Sequence, residues 1–343
     1  MPKIINITEF LEKSQDLPIV DVRAPVEFAQ GHIPEALNIP LFNDEEREEV
    51  GTLYRQKGQQ IAIDRGLEIA GIKIPNYIKE IRKIAIDNKV LVHCWRGGMR
   101  SSSMAWLLET AGLEPFVLEG GYKSFRSHIR SSFEEKRKLI VLSGMTGSGK
   151  TEVLLELEKL GQQVIDLEGL ANHKGSAFGS LGQKDQPTTE QFENNTWLVW
   201  KTFDAEKPIW IEDESRRIGC VVNNEPLYDQ MRATVVIKMD IPRDERVKRL
   251  TKEYAYFDSA VLIETVEKIT KRLGGQNVQA IVKCIEEDNF YDAIDLSLNY
   301  YDKGYSYGIE KRDPATVYTL QLPTGNAAQN AEALLAFSKE IKI

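Results

Sequence analysis

Two α/β domains are predicted for this chain, the second built on a parallel sheet with flanking helices, and three observations predict them. At 343 residues the chain is longer than one ordinary hydrophobic core serves. Short apolar runs of strand length alternate with stretches of helical spacing. Twice, after residues 90–93 and after residues 139–142, a glycine-bearing loop joins such a run to a helical stretch. The first domain is read as residues 1–130, a basic junction as 131–137 and the second domain as 138–343.

Hydrophobic residues at 42% and charged residues at 28% give a soluble globular composition with enough apolar matter for a core. No apolar run approaches the roughly 20 residues of a membrane span. Residues 1–6 lack the apolar stretch and cleavage site of a secretory signal, so a cytoplasmic location is expected. Cys94, Cys220 and Cys284 are widely spaced, with no Cys-x-x-Cys pair, which indicates neither a disulfide framework nor a metal site. Cys220 and Cys284 are read as packing residues. A formal charge of -8 argues against nucleic-acid binding by the whole surface and leaves room for a local basic patch.

In the first domain residues 17–20 and 90–93 read as strands, and 25–30 as a helical turn between them. Residues 44–69, charged and irregular, are assigned helix plus loop. Met104, Leu107 and Leu108 at helical spacing predict a helix over 101–111 that Gly112 stops, and 116–118 is one more strand. The stretch 121–138 turns basic and marks the junction. Strands at 139–142, 164–165, 209–211 and 235–237, separated by helical or loop segments, predict the parallel sheet of the second domain.

The first loop reads Cys-Trp-Arg-Gly-Gly-Met-Arg-Ser from Cys94 to Ser101. Placed between a strand and a helix, its backbone amides can wrap one point and bind an anion. Arg96 and Arg100 add a field that favours the thiolate, and Cys94 is read as a nucleophile with the two arginines as its anion partners. A buried structural cysteine is the plainer alternative. Together with Asp21-Val22-Arg23, Glu27-Phe28 and Gly31-His32-Ile33-Pro34-Glu35-Ala36, this loop resembles the rhodanese domain over residues 1 to 130. The resemblance implies that Asp21, Arg23, Glu27, His32 and His93 hold the scaffold. In common sulfurtransferase rhodaneses the loop arginine follows the cysteine by five residues; here Arg100 follows by six, which suits a bulkier oxyanion. The same string also reads His-Cys-x5-Arg-Ser, the signature of cysteine phosphatases, so phosphatase chemistry stays open.

The second loop, Gly144-Met145-Thr146-Gly147-Ser148-Gly149-Lys150-Thr151, matches the phosphate-binding P-loop pattern between a strand and an amphipathic helix over 152–160. Gly144, Gly147, Ser148 and Gly149 bring backbone amides close to a phosphate, Lys150 reaches its terminal oxygens, and Thr151 is positioned to ligate Mg²⁺. Glu212 or Asp213, at the end of the strand 209–211, supplies a Walker-B-like acid, with Asp213 the choice for the nucleotide or phosphate site. Asp166 and Glu168 end another strand, and His173 follows in a glycine-bearing loop. Arg216-Arg217, Arg243, Arg246, Lys248, Arg249 and Lys252 form a basic stripe, a solvated face or a track for an RNA backbone, and Tyr300, Tyr301 and Tyr305 add rings able to stack on bases.

Combined with Asp166 to Gly179 and Trp210 to Gly219, the two loops resemble the bacterial tRNA 2-selenouridine synthases along nearly the whole chain. That resemblance implies conversion of wobble 2-thiouridine in tRNA to 2-selenouridine through an S-geranyl intermediate, with geranyl diphosphate and selenophosphate as co-substrates. It assigns the diphosphate to residues 144–151, with Lys150 stabilising the departing pyrophosphate, and selenophosphate to Cys94 with Arg96 and Arg100. A nucleotide-dependent phosphotransferase carrying an idle rhodanese module, and an RNA-binding or sulfur-carrier adaptor, are the rival readings.

Overall fold

The computed structural model describes residues 2–341. The described residues divide into two compact units, 2–134 with 190–198, and 135–189 with 199–341. Among the described residues no helix is long and apolar enough to cross a membrane.

The first unit is a parallel five-stranded sheet of β1 (Lys3–Ile5), β2 (Ile19–Asp21), β3 (Leu37–Asn38), β4 (Lys89–His93) and β5 (Glu114–Leu118), in the order β1-β5-β4-β2-β3. Val90, Leu91 and Val92 of β4 are all fully buried, as expected of a central strand covered on both faces. Met104 and Leu108 of the helix Met99–Thr110 pack on it from one side, which is why that helix is legible by its spacing. Residues 44–84 are two helices, Asp44–Lys57 and Gln59–Ile84, rather than helix plus loop. An Asn43–Glu46 capping box starts the first, and Gly58 separates them. Ile72 and Leu67 are 86% and 65% exposed, so apolar residues on the outer face blur the spacing of the second helix.

Under the sheet, Arg23 is fully buried and paired with equally buried Asp21 at 2.6 Å. Its guanidinium also donates to the Gly31 carbonyl at 2.7 Å and lies 3.9 Å from the centre of the Tyr122 ring. Residues 190–198, placed by the sequence in the second domain, belong to this unit for a polar reason. Asn194 is fully buried and donates to the carbonyl of His32 and the hydroxyl of Tyr122, both at 2.8 Å, and it accepts from Arg126. Arg126 further pairs with Glu193, so this member of the basic stretch is an interior scaffold residue.

The second unit is a parallel sheet of β6 (Leu139–Gly144), β7 (Gln163–Ile165), β8 (Ile209–Glu212), β11 (Val235–Asp240) and β12 (Val317–Gln321), ordered β12-β11-β6-β8-β7; β9 (Arg217–Ile218) and β10 (Val221–Val222) form a small antiparallel pair. All six residues of β6 are buried. The helices Ser259–Lys268, Gly275–Glu286 and Phe290–Glu310 form a separate apolar cluster. Cys284 packs at its margin, as read, whereas Cys220 is exposed in the turn of the β9–β10 pair and packs nothing.

Asp21→Asn leaves the Arg23 charge buried without a counter-ion and is expected to cost about 3–5 kcal/mol in a urea unfolding curve. A loss below about 1 kcal/mol, the scale of an exposed pair, contradicts the structural role assigned to this ion pair.

Candidate active sites

β4 delivers Cys94 to the start of the helix Met99–Thr110, where its Sγ lies 3.2 Å from the Ser101 hydroxyl and 3.9 Å from the Gly98 carbonyl oxygen. The loop is held against the helix Gly121–Ser132: the amides of Tyr122 and Lys123 donate to the carbonyls of Cys94 and Trp95 at 2.8 and 3.0 Å. Gly121 makes that approach possible. Its φ is +59°, and a Cβ there would lie 2.4 Å from the Cys94 carbonyl oxygen. The adjacent Gly120 and Gly121 directly after a strand were the signal available in the sequence, and it was missed.

The two arginines differ. Arg100 places two donors on the Glu27 carboxylate at 2.6 and 3.2 Å, which burial works against but which holds the Glu27 carboxyl below its ordinary range. Arg96 is exposed and carries no partner among the described residues, so it is the uncompensated cation of the loop. Cys94 itself is 3% exposed. Gly98 has no atom within 4 Å of a built Cβ, so the turn after Cys94 is open on that side. His93 is fully buried, 3.7 Å from Asp21, and burial pushes its pKa down; His32 stacks on Phe28 at 3.8 Å. Both serve the scaffold.

In the second unit Gly144, Gly147, Ser148, Gly149, Lys150, Thr151 and Asp213 all line one cleft of about 1310 Å³. Gly149 has φ +77°, and a Cβ on it would strike the Arg249 guanidinium at 2.6 Å. Arg249 is fixed by Glu152 at 2.6 Å and by the Gly325 carbonyl. Arg246, almost fully buried, pairs with Asp302 at 2.8 Å, and Arg243 pairs with Asp295 at 2.5 Å. Arg243, Arg246 and Arg249 of the basic stripe are thus engaged by acids of other helices, while Arg216, Arg217, Lys248 and Lys252 are exposed.

Lys150 is half-buried and lies 3.4 Å from the Gly144 carbonyl oxygen. Burial would lower its pKa, but Glu168, Glu214 and Glu212 outweigh that and keep it above the usual lysine value, so the ammonium stays charged. The Thr151 hydroxyl is within reach of Glu212 at 2.9 Å and Glu168 at 3.1 Å, and Glu212 also accepts from the Glu168 amide at 2.9 Å. Asp213 is not with them: its carboxylate is taken by Arg312 and the Ser143 hydroxyl, so of the two strand-end acids it is Glu212 that faces Thr151. Glu214 completes the carboxylate group; burial and Glu168 push it up to about 8, against the pull of Lys150. Acids at the ends of adjacent strands, β7 and β8, were visible in the sequence, but not that Glu168 and Glu214 meet. His173 lines the same cleft, and burial lowers its pKa.

Because the folded-state pKa of Glu214 is raised, its neutral form supports the fold fully below the unfolded carboxyl pKa, and that support fades as pH climbs through about 8. Glu214→Gln should therefore raise the melting temperature relative to the parent more at pH about 9 than at pH about 6. An equal change at both pH values contradicts the burial of an ionisable carboxyl there.

Known proteins agree with both halves of this geometry. A rhodanese-like domain model matches residues 6–128, and a model described as the tRNA 2-selenouridine synthase AAA domain matches residues 137–322. A tRNA 2-selenouridine synthase of Shewanella frigidimarina is 34% identical, with 89% of this chain and 92% of that protein aligned. The protein of that name from Bdellovibrio bacteriovorus is 39% identical over 83% of this chain and 73% of its own, and the one from a Sulfurovum species is 33% identical over 95% of each. With a match on either loop-bearing unit and relatives aligned nearly end to end, the chain belongs to the tRNA 2-selenouridine synthase family.

Proposed function

We propose that the protein is a cytoplasmic tRNA-modifying enzyme that exchanges the sulfur of wobble 2-thiouridine for selenium, in two steps served by its two loops. The observation that carries this reading is the division of chemistry: a charged, half-buried Lys150 in a roomy cleft, and a thiol loop with one uncompensated arginine on a different sheet.

In the first step the 2-thiouridine sulfur attacks the allylic carbon of geranyl diphosphate; the C–S bond forms, the C–O bond breaks and pyrophosphate leaves. Lys150 and the amides of residues 144–151 take up the charge that develops on the leaving group. Thr151 and Glu212 offer the hard oxygen donors that would hold Mg²⁺, and such an ion would supply charge neutralisation for the leaving diphosphate. In the second step the selenium of selenophosphate attacks C2, the C2–S bond breaks and the geranylated sulfur departs as geranyl thiolate, which takes up a proton; water then cleaves the P–Se bond, phosphate leaves and the selenium stays on C2. Selenophosphate is assigned to the Cys94 loop with Arg96 as its first cation; Arg100 joins only by leaving Glu27. The same pairing would have to break for a phosphate ester in the phosphatase reading.

Lys150→Ala is expected to lower geranyl transfer by at least about 10²-fold, the scale of losing one charge-stabilising group. Cys94→Ser is expected to leave geranyl transfer intact and to stop selenium incorporation. Both are read by mass analysis of nucleosides from 2-thiouridine-containing tRNA. Loss of geranylation in a folded Cys94→Ser protein overturns the division of labour.

A further inference from the structure

Beside the phosphate cleft lies a second cavity whose wall is almost wholly apolar. Its depth is formed by Leu262, Val266, Ile281, Ile285, Ala293 and Leu298, contributed by the helices Ser259–Lys268, Gly275–Glu286 and Phe290–Glu310. Its mouth is made of Thr146, Ser176, Leu250, Tyr254 and Tyr301, and these same residues line the phosphate cleft. Thr146 belongs to the phosphate loop itself. A ligand held by its phosphates at residues 144–151 therefore has an apolar opening within reach of its other end.

The cavity measures about 60 Å³. On that measure one water needs about 10–15 Å³, so the space holds on the order of four to six heavy atoms. Water gains little there, because it lacks the polar partners that hold buried water. An unfilled apolar void costs stability, and this one is kept where a diphosphate binds. We propose that it receives the terminal five-carbon unit of the allylic diphosphate, while the first unit spans the mouth between Leu250, Tyr254 and Tyr301. The assignment rests on the reading of the phosphate loop as the diphosphate site. The helical cluster would then act as the gauge of chain length.

Equilibrium binding of inorganic pyrophosphate and of linear alkyl diphosphates of increasing length to the full-length protein tests this without altering a residue. Affinity is expected to rise by up to about fourfold per methylene once the chain passes the mouth, and to level off when the cavity is full. Ala293→Phe, which fills the cavity, should abolish the gain for the longer chains and leave pyrophosphate affinity unchanged. Equal affinity at all chain lengths, with pyrophosphate still bound, overturns the tail site alone; should the variant unfold, the unaltered protein still decides. Failure of pyrophosphate itself to bind overturns the phosphate-loop reading, and the tail site with it.

Discussion

Everything chemical in this protein depends on one constraint of parallel sheets: the loop that follows the central strand opens at the carboxyl edge, where a helix then begins. β4 is central in β1-β5-β4-β2-β3 and β6 is central in β12-β11-β6-β8-β7. The full burial of both strands fixes where their last residues emerge, and those residues are followed directly by Cys94 and by the phosphate loop. The loops differ in how they are supported. Residues 94–98 are clamped by backbone contact with the helix that starts at Gly121, and residues 144–149 are backed by Arg246, Arg249 and Leu250.

Electrostatics then separates the two sites. Around Lys150 burial pushes the carboxyls of Glu212 and Glu214 up, and Glu168 adds to both, while Lys150 pulls the other way. At Cys94 the balance is set by ion pairing instead: Glu27 neutralises Arg100, and Arg96 alone projects uncompensated charge. The Cys94 thiol is thus deeply seated beside a single free cation, whereas Lys150 lines a roomy cleft.

Much of this was legible in the residues, for local reasons. The strands β4 and β6 are continuous apolar runs, and the glycine loops after them announce themselves by spacing. What failed to show depends on distant pairings. β1 and β3 are too short, at three and two residues, to carry a pattern, and β12 is only partly buried. The transfer of residues 190–198 to the first unit turns on Asn194, whose partners lie about 70 to 160 positions away in the chain and leave no trace in local periodicity. The choice between Glu212 and Asp213 turns on Arg312, about 100 positions downstream. Of the residues read as a basic stripe, Arg243 and Arg246 face acids from another helix and only Arg246 is interior, which local sequence could not show.

The central claim, that a phosphate cleft and a thiol loop act in succession on one tRNA base, is tested most directly by order of addition. 2-Thiouridine-containing tRNA is incubated with the protein and geranyl diphosphate, sampled, then given selenophosphate, and its nucleosides are weighed at each stage. The account predicts a geranylated nucleoside in the first sample that gives way to the selenium nucleoside in the second. Selenium incorporated at an undiminished rate without geranyl diphosphate, or no geranylated species at any stage, would contradict it.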